Sequence, residues 1–187
     1  RRIERDYLLV LALARAGAAR LGLENFHQRL SRAPLELLPA DTARDIAALE
    51  ARCLKDIALE AHADVRRAAL IEAADAYETV YRRHGGYYPL INAATLFLLA
   101  GDQATAENLA RQTLREVADS KDYWGLATKA EALLVLGKSD EAGPVLKAAS
   151  ALGVSASAMA STKKQLLAVC AARGSAALNR LKKTQPR

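Results

Sequence analysis

Apolar positions recur along almost the whole chain at the three- and four-residue spacing of amphipathic helices. Short breaks rich in Gly, Pro and Asp separate these segments, as is typical of helix ends. The pattern predicts helices over about 3–16, 19–31, 42–61, 64–84, 87–100, 103–118, 123–136, 139–151 and 155–172, with a connector and a short helical turn between 31 and 41. We expect Asp41 or Thr42, Asp64, Asp122 and Ser155 to cap helix N-termini.

Two of these helix pairs are copies of one unit. Segments 87–114 and 123–150 align with a constant offset, 137 − 101 = 36, which places aromatic, small and turn residues in register: Tyr87 on Tyr123, Ala94 on Ala130, Gly101 on Gly137 and Ala106 on Ala142. A repeat close to 34 residues with Gly at the turn is typical of tetratricopeptide-like arrays. The first helix pair resembles a degenerate copy, with Gly17 at its turn.

The predicted architecture is all-α. It is a right-handed α-solenoid of about four tetratricopeptide-like helical hairpins plus a C-terminal capping helix, in which Leu166, Leu167 and Val169 cover the last apolar face. We expect one domain over 1–174, with clear repeats at 87–118 and 123–151, and a basic tail over 175–187. On helix 1 we expect Leu8, Val10, Leu11 and Leu13 to face the core, and on helix 2 Leu21, Leu23, Phe26 and Leu30.

Composition narrows the functional classes. Hydrophobic residues make up 51% of the chain and aromatic residues only 5%, so Ala and Leu must form most of the core. Two distant cysteines without a CxxC motif, and three histidines without ligand spacing, predict reduced thiols and no metal site. The sequence also lacks the nucleophile, phosphate-loop and metalloprotease motifs of common enzymes, so we expect no catalytic residues, no cofactor and no enzymatic activity.

The N-terminal segment RRIERDYLLVLALARAGAA has basic residues before an apolar run, as a signal peptide does. Glu4, Asp6 and Arg15 interrupt that pattern, and an amphipathic helix explains it better. No segment has the roughly 18 apolar residues that a membrane span needs. We therefore expect a cytoplasmic protein with no membrane contact. Because the chain starts at Arg1 rather than Met, we also expect it to be part of a longer protein.

The candidate binding residues come from the helices that line the concave face of such an array. In the first clear repeat they are Tyr88, Asn92 and Thr95, and in the second Trp124, Thr128 and Glu131. Aromatic rings supply contact area at low entropic cost, and an Asn amide can pair with a peptide backbone. The alternative is structural: the aromatics wedge between hairpins and Asn92 satisfies a neighbouring turn.

Four short strings together resemble one family: RCLKD (52–56), AADAY (73–77), YYPLINAATL (87–96) and YWGLATKAEALLVLG (123–137). Their order and spacing are similar to the tetratricopeptide-like TRAF-binding domain in the central regulatory region of the apoptosis signal-regulating kinases. The resemblance implies a regulatory scaffold, and adds Arg52, Lys55 and Asp56 to the candidate residues. This chain contains no kinase, and its Ala- and Arg-rich composition indicates a bacterial homologue.

The sequence thus favours a non-enzymatic protein–protein interaction and scaffold module of a bacterial signalling or stress-response protein. Its partner is a protein, a peptide or another domain of the same chain. The alternative is a nucleic-acid-binding repeat protein that uses basic surfaces and the tail, since the net charge is +6 and the isoelectric point about 9.5. Salt dependence separates the two, because phosphate contacts release counterions.

Overall fold

The computed structural model describes residues 2–174. Within this range the chain forms nine α-helices, one 3-10 helix (Leu35–Leu37) and no strand, which confirms the all-α prediction of tetratricopeptide-like helical hairpins. The helices are α1 (Arg2–Arg15), α2 (Ala19–Arg29), α3 (Ala40–Glu60), α4 (Ala63–His84), α5 (Tyr87–Leu99), α6 (Gln103–Glu116), α7 (Tyr123–Val135), α8 (Ser139–Ser150) and α9 (Ala156–Arg173). The predicted basic tail, 175–187, lies outside the described residues.

The chain divides into two compact units, Arg1–Pro89 and Leu90–Arg187. The boundary falls near the start of α5, so the first unit contains α1 to α4 and the second contains most of α5 and α6 to α9. The prediction of one domain over 1–174 stays a prediction, and each unit is described by itself.

The core of the first unit forms where α1, α2 and α3 meet. Its buried members are Val10, Ala14, Phe26, Leu30, Ile46, Leu49 and Cys53. The buried stripe of α1 follows Asp6, Val10 and Ala14, four residues apart. The expectation that Leu8 and Leu21 face the core was wrong, because their side chains are 55% and 48% exposed.

Small residues form part of the buried faces of α1 and α2. At Gly22 an added Cβ would lie 3.1 Å from the Cys53 Sγ atom and 3.7 Å from the Leu13 Cβ atom, so α2 approaches both α1 and α3 closely there. This contact leaves room for small residues only, and Leu8 and Leu21 lie on other, exposed sides of their helices. Small residues such as Ala14 and Gly22 therefore share the buried face with larger ones such as Val10 and Phe26.

Helix α7 is the centre of the second unit. Ten of its thirteen residues are buried, and it packs against α6, α8 and α9. Helix α9 covers it with Leu166 and Val169, as the sequence predicted for a capping helix, and with Cys170. Pro144 lies inside α8, beyond its first turn.

Glycine turns end three of the helices in the same way. Gly101 and Gly137 have φ of 85° and 75°, a left-handed conformation that disfavours side chains with a Cβ. At the second turn Lys138 N–H donates to the Leu133 carbonyl (2.8 Å) and Gly137 N–H to the Leu134 carbonyl (2.9 Å). The same pair of bonds recurs at Gly101 and at Gly17, and this is the Schellman motif. Thus the hairpin turn predicted at Gly17 is present.

The N-terminal caps divide into two groups. Asp122 and Ser155 accept hydrogen bonds from Gly125 N–H (3.1 Å) and Ala158 N–H (3.3 Å), which confirms two predicted caps. The caps predicted at Asp41 or Thr42 and at Asp64 were wrong, because α3 begins at Ala40 and α4 at Ala63. Asp41 and Asp64 instead lie in the first turns, where a carboxylate is favoured by the helix dipole.

Candidate functional site

In the first unit Tyr88 lies at the start of α5 on top of a buried tyrosine. The Tyr77 side chain, from α4, is fully buried, whereas Tyr88 is 39% exposed. Their rings meet edge to face with centroids 6.0 Å apart, and the two hydroxyl oxygens are 3.4 Å apart. Edge-to-face pairs are a favoured aromatic geometry. Tyr77 therefore supports Tyr88 from beneath and leaves its outer side to solvent.

Helix α3 brings charged groups to this tyrosine pair. Arg52 and Asp56, one turn apart, both act electrostatically on Tyr77. Burial, the neighbouring Tyr88 and the Asp56 carboxylate raise the pKa of the Tyr77 phenol well above 10, and Arg52 opposes this. The Tyr77 hydroxyl consequently stays protonated near neutral pH, and its neighbour is the Tyr88 hydroxyl.

A third tyrosine, Tyr7 of α1, belongs to the same cluster. Burial raises its pKa, Asp45 and Tyr88 add to the increase, and Arg15 and Arg52 oppose it. Sequence reasoning missed Tyr7 altogether. It also missed Tyr77, although the AADAY string that contains it was noted for its family resemblance. Tyr7 could not have been found from sequence, because only tertiary packing brings α1 to the start of α5.

We call this group, Tyr7, Arg52, Asp56, Tyr77 and Tyr88, the α3 face. Lys55 lies on the same helix three residues after Arg52 and is half-buried, as Arg52 and Asp56 are. Together the residues combine one exposed aromatic ring, Tyr88, with a half-buried guanidinium and a half-buried carboxylate. A guanidinium binds carboxylates, and Tyr88 supplies apolar area and a hydroxyl group, so the face has groups that peptide recognition uses.

In the second unit the candidates follow one stripe of α7. Trp124, Thr128 and Glu131 are four and three residues apart, which places them on one side of the helix. Trp124 is 52% exposed and packs edge to face against Tyr123, with centroids 5.1 Å apart. Thr128 and Glu131 are only 9% and 8% exposed. The stripe is therefore open at the Trp124 end and covered at the Glu131 end.

A hydrogen-bond network explains the burial of Glu131. Its Oε1 atom accepts from the Thr95 hydroxyl of α5 (2.5 Å) and from the Gln165 side-chain amide of α9 (3.0 Å). Asn92, one turn before Thr95 on α5, is 4% exposed. Asn92, Thr95, Thr128 and Glu131 are thus interior residues of this unit in the present structure. Sequence reasoning missed Gln165, since nothing local in α9 distinguishes it from a solvated residue.

The end of α9 is held by Arg173. Its guanidinium donates to Glu107 Oε1 of α6 (2.9 Å) and to the Val135 carbonyl at the end of α7. Hydrogen bonds from Arg173 and Gln103 lower the pKa of the Glu107 carboxyl. In the first half of α9, the Tyr123 hydroxyl donates to the Thr162 hydroxyl (2.9 Å). Helix α9 therefore meets α6 and α7 through polar contacts at Thr162, Gln165 and Arg173, and it buries Leu166, Val169 and Cys170 between the last two.

The nine candidate residues are divided between the two units. Arg52, Lys55, Asp56 and Tyr88 belong to the first unit, and Asn92, Thr95, Trp124, Thr128 and Glu131 to the second. Among residues 2–174 no group of three or more His, Cys, Asp or Glu side chains has the arrangement of a metal site. No helix in that range is long and apolar enough to cross a membrane.

A protein-family model described as Tetratricopeptide Repeats-Sensor (TPR-S) matches residues 3–97. The matched segment is 97 − 3 + 1 = 95 of the 187 residues and includes α1 to α4, most of α5 and the whole α3 face. No curated protein and no solved structure matches the chain significantly. The match lies mainly on the half whose repeats are degenerate in sequence, before the clear copies at 87–118 and 123–151. From this match, which spans just over half of its length, the chain belongs to the Tetratricopeptide Repeats-Sensor family.

Proposed function

We propose that this domain is a non-enzymatic protein–protein interaction module that acts as the regulatory or sensor part of a larger bacterial signalling or stress-response protein in the cytoplasm. Its family description contains the word sensor, and tetratricopeptide-type repeats generally bind proteins instead of catalysing reactions. The resemblance to the TRAF-binding domain of the apoptosis signal-regulating kinases supports the same regulatory role. The partner is a peptide, a protein or another domain of the same chain.

The α3 face is the observation that carries this proposal. It lies within the family-matched segment, and it joins the half-exposed Tyr88 ring to the buried Tyr77, on whose phenol Arg52 and Asp56 act electrostatically. Rigid aromatic anchors beside charged groups are typical of the residues that dominate binding energy at interfaces. We therefore assign partner contact in the first unit to Tyr88, Arg52, Lys55 and Asp56.

The second-unit candidates take different roles in the proposal. Trp124 is the exposed aromatic residue of its stripe and is assigned to partner contact. Asn92, Thr95, Thr128 and Glu131 are interior, so we assign them to holding α5, α7 and α9 in place. Substitution of these four residues would change binding through the fold and would not identify a contact surface.

The test is affinity capture with matched baits, read by mass spectrometry and by nucleic-acid staining. The site variant is Arg52→Ala/Lys55→Ala/Tyr88→Ala. The control variant, Val65→Ala/Arg66→Ala/Arg83→Ala, also removes two cations and one exposed apolar side chain, all from exposed positions of α4. We expect a protein that the wild type and the control variant retain and the site variant loses, with circular dichroism spectra and melting temperatures alike for all three.

Equal retention by all three baits would show that the α3 face is not the binding surface. The nucleic-acid alternative gives a different pattern: nucleic acid on every bait, released steeply by moderate salt. The two exposed aromatic candidates, Tyr88 and Trp124, belong to different units. The structure adds no observation in favour of nucleic-acid binding.

A further inference from the structure

The outward side of α1 carries an apolar stripe that no residue of the described chain covers. Five exposed residues follow each other there at offsets of 3, 1, 3 and 3 residues: Arg5, Leu8, Leu9, Ala12 and Arg15. These offsets place them on one side of the helix, opposite the buried Asp6, Val10 and Ala14. Leu8 is 55% exposed and Leu9 39%, so two adjacent leucines face solvent where helix periodicity would allow polar residues.

Positive charge flanks this stripe at both ends. Arg5 and Arg15 are ten residues apart, which corresponds to about 15 Å along a helix. The guanidiniums of Arg2, Arg5 and Arg29 surround the buried Asp6 carboxylate, with N···O distances of 3.9, 3.6 and 3.6 Å. The Arg2 and Arg5 side chains are nevertheless 87% and 73% exposed.

One carboxylate cannot neutralise three guanidiniums, so positive charge remains at the N-terminal end of α1. Asp6 itself is only 2% exposed and is not available to a partner. The other acidic residue of α1 is Glu4, one turn before Leu8. The same helix has three exposed arginines, Arg2, Arg5 and Arg15, so positive charge exceeds negative charge on its surface. The outward side is therefore an apolar centre between basic ends.

We propose that this outward side of α1 binds an acidic amphipathic helix of a partner protein. Such a helix would place apolar residues on Leu8 and Leu9, and carboxylates on the same side about ten residues apart would reach Arg5 and Arg15. Charge complementarity selects this occupant. Burial of the two leucines supplies the apolar part of the affinity, and the arginines set orientation and register.

A second copy of this chain fits the stripe poorly. Arg5 and Arg15 lie at equal distances from the centre of the stripe. When two α1 helices pair antiparallel with these centres aligned, Arg5 of one copy therefore faces Arg15 of the other at both ends. Parallel pairing places each arginine against itself. Both arrangements bring like charges together around an apolar contact of two leucines, which disfavours self-association.

This inference goes beyond the proposed function, because it concerns residues of α1 that are not part of the α3 face. The two sites are separable by mutation. Tyr88→Ala alters the α3 face and leaves the outward side of α1 unchanged, so it should not affect binding of an acidic helix there. If the α3 face bound no partner, the binding of an acidic helix to α1 could therefore still be tested. If α1 bound no acidic helix, the proposed binding at the α3 face could likewise still be tested.

The test uses defined probes and the full chain. One fluorescent peptide, stapled to be helical and about 18 residues long, carries three leucines on one turn-wide stripe and Glu on the same side about ten residues apart. A second peptide has Lys in place of each Glu. Fluorescence anisotropy then measures the Kd of each peptide for the wild type and for Arg5→Glu/Arg15→Glu, Leu8→Ser/Leu9→Ser and Tyr88→Ala. The charge control is Arg66→Glu/Arg83→Glu, on exposed positions of α4.

We expect saturable binding of the Glu peptide to the wild type, weaker as salt rises from about 50 to 200 mM. Charge reversal at Arg5 and Arg15 should weaken it by about tenfold or more, and should strengthen binding of the Lys peptide. The Leu8→Ser/Leu9→Ser variant should also bind about tenfold more weakly. The charge control and Tyr88→Ala should stay within about twofold of the wild type.

Three results would overturn the proposal. The first is no saturable binding of the Glu peptide to the wild type. The second is equal binding of the Glu and Lys peptides, or an affinity that Arg5→Glu/Arg15→Glu does not change. The third is a wild-type dimer, seen by sedimentation velocity, that Leu8→Ser/Leu9→Ser converts to a monomer, because a second copy would then occupy the stripe.

Discussion

Both cysteines are interior residues whose thiols resist ionisation. Cys53 lies at the close approach of α2 to α3, and Cys170 lies in the buried side of α9. Burial raises the pKa of each thiol to about 11, and at Cys53 the Asp56 carboxylate adds to the effect. Since the thiolate is the reactive form, the native protein should have unreactive cysteines at neutral pH.

The same shifts predict how stability depends on pH. The folded thiols have a raised pKa, so their contribution is fully present below the unfolded pKa of about 9 and is lost as pH rises to about 11. The raised pKa values of Tyr7 and Tyr77 act in the same direction above pH 10. Urea midpoints should fall steadily from pH 8.5 to 10.5, and less steeply for Cys53→Ala/Cys170→Ala. A urea midpoint that rises over this pH interval would contradict the raised pKa values of the two thiols.

Glu131 shows how a polar candidate can be structural. Its Oε1 atom accepts two hydrogen bonds inside the second unit, so Glu131→Ala leaves the Thr95 hydroxyl and the Gln165 amide without this acceptor. We expect a loss of about 1–3 kcal/mol in the free energy of unfolding, measured by urea titration. In a double-mutant cycle with Thr95→Val, the two losses should be less than additive. Full additivity of the two losses would mean that the Thr95–Glu131 hydrogen bond contributes nothing to the free energy of unfolding.

At the scale of the element, the glycine turns give the sharpest prediction. Gly137→Ala keeps the local space open, since no atom lies within 4 Å of an added Cβ, but it forces a side chain into φ of 75°. The expected loss is about 1–2 kcal/mol. Gly137→Asn should lose less, because Asn adopts left-handed backbone more readily. Thermal melts of the two variants test this, and equal losses would show that backbone conformation is not the cause.

Helix positions and turns were predictable from sequence because their causes are local. Glycine at a Schellman turn, Asp122 as a cap and apolar spacing all act within a few residues. The missed caps at Asp41 and Asp64 each lie one residue after the first residue of a helix that started earlier than predicted. The register of α1 was missed because it depends on packing against α2 and α3, and Gln165 was missed because its partner lies 34 residues away.

At the scale of the whole chain, the division into two compact units predicts unfolding in more than one step. The single tryptophan, Trp124, lies in the second unit, so its fluorescence reports that unit, whereas far-ultraviolet circular dichroism reports both. We expect the two urea curves to differ in midpoint. Glu131→Ala should shift the fluorescence curve more than the circular dichroism curve. Coincident curves for both proteins would show a single cooperative unit.

The candidate site was predictable only in part. Tyr88 was named from its repeat position and Arg52 and Asp56 from the family resemblance, and all three act electrostatically on Tyr77 in the α3 face. The common groove expected for the six candidates of the two clear repeats depended on tertiary arrangement, and four of those residues are interior. Sequence periodicity identifies which residues share a helix side, but it does not say which neighbouring helix covers that side.

The Thr95–Glu131–Gln165 network also limits how this array can lengthen by duplication. Thr95 and Glu131 occupy the same position of successive repeats, 36 residues apart, and Gln165 follows after 34. A tandem copy of the α7–α8 unit would place a second glutamate beside Glu131, so two acceptors would meet without a donor between them. A duplication that keeps these buried groups satisfied therefore needs either a proton shared between the two carboxyl groups or a change to a donor, such as Gln, in one copy. The hydrogen-bond polarity of these buried side chains thus constrains which repeats can be neighbours.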